Sequence, residues 1–207
     1  MTAGRVIRSL AGPSGNERGL VYIGPTLWAI GYGTHLIYQI DTKTGRTIRT
    51  LPAPATGCMP LIWDGAKLWS TAFESSTLNQ LDPNSGQVTH TLPSPTIRIS
   101  GVAWDGHMLW LCSYKSKLFY QCDPVTGRVV RSAPTPGTWP SGLACSEDAL
   151  WHCDHSQSLI YQYDRRSLEL IRSFASPGEN PFGLAWDGRT LWNADIGTGK
   201  IYQIAVD

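Results

Sequence analysis

The sequence is poor in charge, in cysteine and in long apolar runs, and each shortage closes a class of function. Charged residues make up 16% of its 207 positions and balance to a formal net charge of +1, so no general field draws the chain to nucleic acid or to an anionic membrane. No apolar run approaches the length of a membrane span. The opening Met1-Thr2-Ala3-Gly4-Arg5 lacks the apolar block of a signal peptide, which predicts a soluble, cytoplasmic protein. The five cysteines, Cys58, Cys112, Cys122, Cys145 and Cys153, are odd in number and none recurs at every repeat position. That argues against a disulfide framework and for free buried thiols. No serine sits in a nucleophile elbow, no glycine-rich phosphate loop leads into a helix, and no paired metal-ligand motif is present, so neither a metal nor another cofactor is expected.

What the chain does have is tryptophan at a fixed interval: Trp28, Trp69, Trp110, Trp151 and Trp192, each 41 residues after the last. A leucine precedes each one. Six residues upstream stands a second large or soft residue (Tyr22, Trp63, Trp104, Cys145, Trp186), and eleven downstream a glutamine (Gln39, Gln80, Gln121, Gln162, Gln203). A period without insertions describes identical units packed side by side.

Within a unit the pattern gives four short strands. In the last, Gly183 to Trp186 meets the turn pair Asp187-Gly188, Thr190 to Ala194 follows, and a glycine-rich loop leads to Lys200 through Ile204. The third unit supplies the outer strand, Arg128 to Ser132, after the turn Asp123 to Gly127. Pro13, Pro54, Pro95, Pro136 and Pro177 then end each outer strand, because proline cannot donate to a ladder. Four antiparallel strands per 41 residues describe a β-propeller blade.

A stacked solenoid is the competitor, and the chain's two ends decide against it. Arg5 to Leu10 reads as an outer strand with nothing before it, while the fifth unit stops after its third strand. The expectation is an all-β, five-bladed β-propeller over 1–207, a single domain. Residues 1–13 supply the outer strand of the last blade and close the ring.

The repeated residues are read as frame. Both tryptophan positions are taken as core between neighbouring sheets. The basic set Arg8, Arg49, Arg131 and Arg172, with His90 in the remaining blade, is taken as a guard on the outer strand edge. Function is expected where the blades differ, on the face formed by the loops from second to third strand and the crossovers from one blade to the next.

The crossovers bring Glu17, Arg18, Arg98, Trp139, Asn180 and Phe182 around the central opening. The loops add Tyr32, Phe73, Glu74, Tyr114 and His155 outside them. Convergent polar groups on apolar walls suit a small-molecule ligand, with Arg18, Arg98, Trp139, Asn180, Phe182, Tyr32, Phe73 and Tyr114 as binding residues. His155 replaces aromatic or aliphatic residues at its blade position and is the candidate acid-base group, with Asp154, Glu17 and Glu74 as catalytic carboxylates. Asp154 also suits a loop-holding role, since Asp195 stands at the same place in the next blade. His152-Cys153-Asp154-His155 alternates sides along a strand and so does not converge on one metal. A protein or glycan platform is the alternative function, recognisable by a broad, shallow aromatic face.

The texture of Gly183-Leu184-Ala185-Trp186-Asp187-Gly188, Leu191-Trp192, Ile201-Tyr202-Gln203-Ile204 and Thr126-Gly127-Arg128-Val129 resembles the repeats of streptogramin lyase-like propellers along the whole chain. That resemblance implies a propeller. It also implies, for those seven-bladed proteins, metal-assisted acid-base chemistry whose residues find no matching motif here. Five-bladed rings similar in architecture include plant-type glutaminyl cyclases and sugar-binding lectins, and fold alone does not choose among them.

Overall fold

A computed structural model describes residues 3–207, and every regular element in it is a β-strand. The chain opens with β1 (Val6–Ala11). The first complete blade is β2 (Glu17–Ile23), β3 (Thr26–Gly31), β4 (Leu36–Asp41) and β5 (Thr47–Pro52). The second is β6 (Cys58–Trp63), β7 (Leu68–Ala72), β8 (Thr77–Leu81) and β9 (Val88–Pro93), and the third β10 (Ile99–Trp104), β11 (Leu109–Ser113), β12 (Leu118–Cys122) and β13 (Val129–Pro134). The fourth is β14 (Pro140–Cys145), β15 (Ala149–Asp154), β16 (Leu159–Asp164) and β17 (Leu170–Ala175). The fifth holds β18 (Pro181–Trp186), β19 (Leu191–Asp195) and β20 (Lys200–Ile204), and its outer strand is β1.

The ring closes as the sequence leads one to expect. Val6 lies opposite Ile204 and Leu10 opposite Ile201, and the Gly4 N–H donates to the Ala205 carbonyl at 2.9 Å. The innermost strands β2, β6, β10, β14 and β18 each pack on the next, with β18 returning to β2. The protein is a five-bladed β-propeller.

Its frame is one side-chain network repeated. The five periodic tryptophans are 1–4% exposed. Trp69, Trp110 and Trp192 donate their indole N–H to Asp64, Asp105 and Asp187 at 2.6, 2.7 and 2.8 Å. The second oxygen of each carboxylate accepts N–H groups of the following turn, so one aspartate fixes both a hairpin and a core ring. Ser146 takes this place in the fourth blade, 3.3 Å from the Trp151 nitrogen. In the first blade Ile23 stands there, and the Trp28 nitrogen is buried without a partner.

One expectation about this frame is corrected. The arginines of the outer strands do not guard an edge. Arg8, Arg49, Arg131 and Arg172 fold inward over Trp192, Trp28, Trp110 and Trp151, with 5.0–5.9 Å from guanidinium to ring centre. Arg8, Arg49 and Arg172 donate to the periodic glutamines Gln203, Gln39 and Gln162. Arg49, Arg131 and Arg172 also reach main-chain carbonyls of the next blade, at Pro83, at Arg165 and Arg166, and at Val206. They are staples between blades, and the outer edge instead exposes Ile48, Val130 and Ile171.

Tyr22, Trp63, Trp104, Cys145 and Trp186 are half-buried; each packs against the core cluster between two neighbouring blades, as the sequence leads one to expect, and all five also line an axial cavity. Each is the last or next-to-last residue of an innermost strand, so it sits at the mouth of the axis, beside the turns to the second strand.

With only five blades the innermost strands stand close together, and at one level they touch. The residues there are Gly19, Pro60, Gly101, Gly142 and Gly183. A Cβ on Gly101 would lie 2.7 Å from the Ser141 carbonyl oxygen and 2.9 Å from the Leu143 nitrogen, and one on Gly142 would collide with the Phe182 carbonyl. At Gly101 and Gly142 glycine is required by this close approach of backbones. The axis is reduced there to a void of about 10 Å³. It widens to about 130 Å³ on the face of the tight turns, not on the crossover face.

Candidate functional site

The crossover face is held in shape by buried carboxylates. Asp154, wholly buried, accepts the Trp139 N–H at 2.9 Å with one oxygen and the Ser156 and Gln157 N–H groups at 2.9 and 3.0 Å with the other. Asp195 repeats this with Asn180 at 2.6 Å and Thr198 at 2.7 Å. Ser113 does the same for its own loop. Glu17, 2% exposed, receives both the N–H and the hydroxyl of Ser14 at 2.5 Å. The structure therefore commits the oxygens of Asp154, and one of Glu17, to backbone geometry. Asn180 belongs to the same scaffold, its backbone tied to Asp195 and to the Ile196 N–H.

Above this scaffold the variable residues form a nearly continuous chain of rings and guanidiniums around the face. The Arg18 guanidinium lies 4.0 Å from the centre of Tyr32 and 4.7 Å from that of Phe182, and its Nε donates to Asn16 at 3.1 Å. Phe182, 1% exposed, is the floor. His155 meets Phe182 at 4.8 Å and the edge of Trp139 at 5.0 Å. Trp139 lies 4.6 Å from Tyr114, and Tyr114 6.2 Å from Phe73. Arg98 closes the series, 5.7 Å over Phe73 and paired with Glu74 at 3.0 Å. Of the proposed ligand-binding residues, only Asn180 stands outside this chain of contacts.

Burial, with the charge of Arg18 second, lowers the His155 imidazole below its ordinary value, and the smaller opposing effects of Asp154 and Asp195 do not reverse this. His155 is thus neutral at pH 7. Its Nδ1 and the Trp139 indole nitrogen are both buried without a partner. Burial also lowers Arg18, which remains a cation.

Arg98 adopts φ +60°, the left-handed region that costs a non-glycine side chain, at a blade position where Gly57 has φ +72°. Its backbone bridges two loops, donating to the Phe73 carbonyl at 2.6 Å and accepting from the Tyr114 N–H at 3.1 Å. A glycine would make the same bonds without the strain.

One concave part of this face lies beside Trp139. It is an open cleft of about 360 Å³ between the third and fourth blades, lined by Arg98, Tyr114, Lys115, Lys117, Thr138 and Trp139. Lys117 and Thr138 were not legible as site residues. Their repeat positions vary without pattern, and only the three-dimensional step between blades brings them beside Trp139.

His152 and the cysteines belong elsewhere. His152 is wholly buried between Phe119 at 5.3 Å and Tyr161 at 5.5 Å, and burial drops it to about 3. Cys153 is pushed up to about 12 by burial, and its thiol donates to the Phe182 carbonyl at 3.0 Å. Among the described residues no group of three or more His, Cys, Asp or Glu is placed to hold a metal ion.

No protein-family model and no curated protein matches the sequence. Solved structures do match in fold. The chain superposes on the glutaminyl cyclase of Myxococcus xanthus with a TM-score of 0.84 at 12% identity, over 98% of this chain and 96% of that one. A streptogramin B lyase aligns with a TM-score of 0.57 at 16% identity, over 94% of this chain and 66% of the lyase. A chain of a mitotic checkpoint complex gives 0.58 at 18% identity, over 91% of this chain and 63% of that one. At these identities the likeness is one of architecture, and what this chain shares with all three is the propeller.

Proposed function

We propose that the crossover face binds a small anionic molecule that carries a planar ring. The carrying observation is Arg98, held in a left-handed conformation at the edge of a cleft that offers Trp139 and Tyr114 as a stacking wall and Lys115 and Lys117 as further cations. An aromatic ring stacks on such a wall, and its carboxylate, phosphate or sulfate meets the cations.

Acid-base chemistry fits the same face. Neutral His155 can accept a proton, while Arg18 stabilises the anion left behind. That a glutaminyl cyclase and a lyase are among the similar folds is an analogy in favour of catalysis and names no substrate. The shallowness of the face favours a second reading, a glycan-binding platform, in which the rings act without the cations.

Melting curves and titrations with phenyl phosphate, benzoate and phenol separate the two readings. Phenyl phosphate and benzoate should bind the wild-type protein at least tenfold more tightly than phenol, and Arg98→Gly should lose that preference while folding at least as stably. Equal affinity for phenol, or unchanged binding by Arg98→Gly, would remove the anion from the proposal. Once a substrate is found, His155→Gln should abolish turnover with little change in melting temperature.

A further inference from the structure

The opposite end of the axis is shaped for a ligand of its own. Four rings, Tyr22, Trp63, Trp104 and Trp186, come to the mouth of the 130 Å³ cavity from four different blades. The walls behind them are inner-strand backbone and aliphatic side chains. A cavity on the order of 150 Å³ accommodates benzene, so this one takes a compact head group rather than a single water. One edge of each ring packs against the layer between two blades, and the rest of it is left to the cavity. In the fourth blade Cys145 occupies the position and the propeller still closes.

Charge decides which head group suits the rings. Asp64, Asp105 and Asp187 directly follow three of them, and indole and turn N–H groups fix these carboxylates in place. Where Cys145 replaces an aromatic the mouth opens sideways into a notch of about 320 Å³ between Trp104 and Trp186, whose charged lining is Asp105, Glu147 and Arg165. Two carboxylates there face one guanidinium, and that guanidinium donates to the Asp105 carbonyl at 3.0 Å. Ring faces attract cations, and carboxylates at the rim add to the attraction.

From the convergence of Tyr22, Trp63, Trp104 and Trp186 on one cavity beside Asp105 and Glu147, we propose that this mouth binds an organic cation with a methylated ammonium head, its stem leaving through the notch over Cys145. The site lies on the face away from the cleft of Arg98 and Trp139 and does not depend on it.

Choline and its neutral isostere 3,3-dimethyl-1-butanol are the probes, followed by isothermal titration and by quenching of tryptophan emission. Choline should bind at least tenfold more tightly than the isostere, Trp104→Ala should weaken choline by about tenfold or more, and Glu147→Gln should weaken choline and leave the isostere unchanged. Cys145→Trp, which restores the residue found in three other blades and fills the notch, should block choline while leaving the melting temperature near wild type. None of these changes should alter phenyl phosphate binding on the other face. The proposal is overturned if choline does not bind, if the isostere binds equally well, or if choline still binds normally to both Trp104→Ala and Cys145→Trp.

Discussion

Trp110 and Trp139 are both large aromatics in the third and fourth blades, and their surroundings make opposite demands on them. Trp110 is 1% exposed, hydrogen-bonded to Asp105 and covered by Arg131. Trp110→Ala should cost about 3–5 kcal/mol, because it opens a cavity and strips a carboxylate of its indole donor. Trp139→Ala, on the half-buried crossover face, should cost much less stability and more phenyl phosphate affinity. Equal losses in urea titrations would contradict this division. His152 supplies a dependence on pH. In the unfolded chain it gains a proton near ~6.5, whereas in the fold it stays neutral down to about 3. The unfolded state thus holds the extra proton throughout that window, and stability falls as pH drops from 6.5 toward 3, by about 1.4 kcal/mol per unit from this group. His152→Leu, copying Leu111 at the same blade position, should flatten that part of the curve. Identical slopes for the two proteins in urea titrations from pH 7 to 4.5 would remove His152 as the cause. The periodic tryptophans were legible as core because a residue present in every blade meets the same gap. The periodic arginines were misread because spacing tells which strand carries a side chain and not whether it folds inward. The sign of the His155 shift needed the burial and the neighbouring Arg18, which come from other blades.

Strands add up to blades through pairings that the sequence displays openly, and the last pairing is the one that most depends on residues far apart. β1 meets β20 across 195 residues at the Arg8–Gln203 hydrogen bond, and Arg8 also covers Trp192 at 5.1 Å. Removing residues 1–10 exposes that ring and leaves β20 as a bare edge. The melting temperature should fall by roughly 10 °C, the shift that about 4 kcal/mol produces in a domain of this size. A truncated protein that melts with the full chain would mean the seam contributes nothing. Strand limits were readable to within a residue or two from turn pairs such as Asp187-Gly188. The loops were readable as different from one another, but not as a surface. Asp154 shows why: its carboxylate could equally face a ligand or its own loop, and only the three-dimensional path of the crossover brings the Trp139 N–H to it.

At the scale of the whole ring, the repeat and its fifth blade, split into one strand and three, carried the architecture almost completely. The shape of the axis was hidden in Gly19, Pro60, Gly101, Gly142 and Gly183. A column of four glycines and a proline says nothing until the radius of a five-bladed ring is known, and then it says that the axis narrows there. The closing seam has a mechanical side. β1 and β20 run antiparallel, with Gly4 beside Ala205 at the end where both strands leave the ring. Tension applied through the two ends therefore loads their hydrogen bonds one after another, as a zipper is opened, instead of all at once in shear. In an optical trap the first rip should come at lower force when the handles are on the chain ends than when they are on the turns at Gly65 and Gly188, and it should release only the seam before any complete blade. The reverse order of forces would show that the seam is not the weak line. A ring joined in this way resists heat through all five blades together, yet a pull on its two ends is borne by a single hydrogen bond at a time.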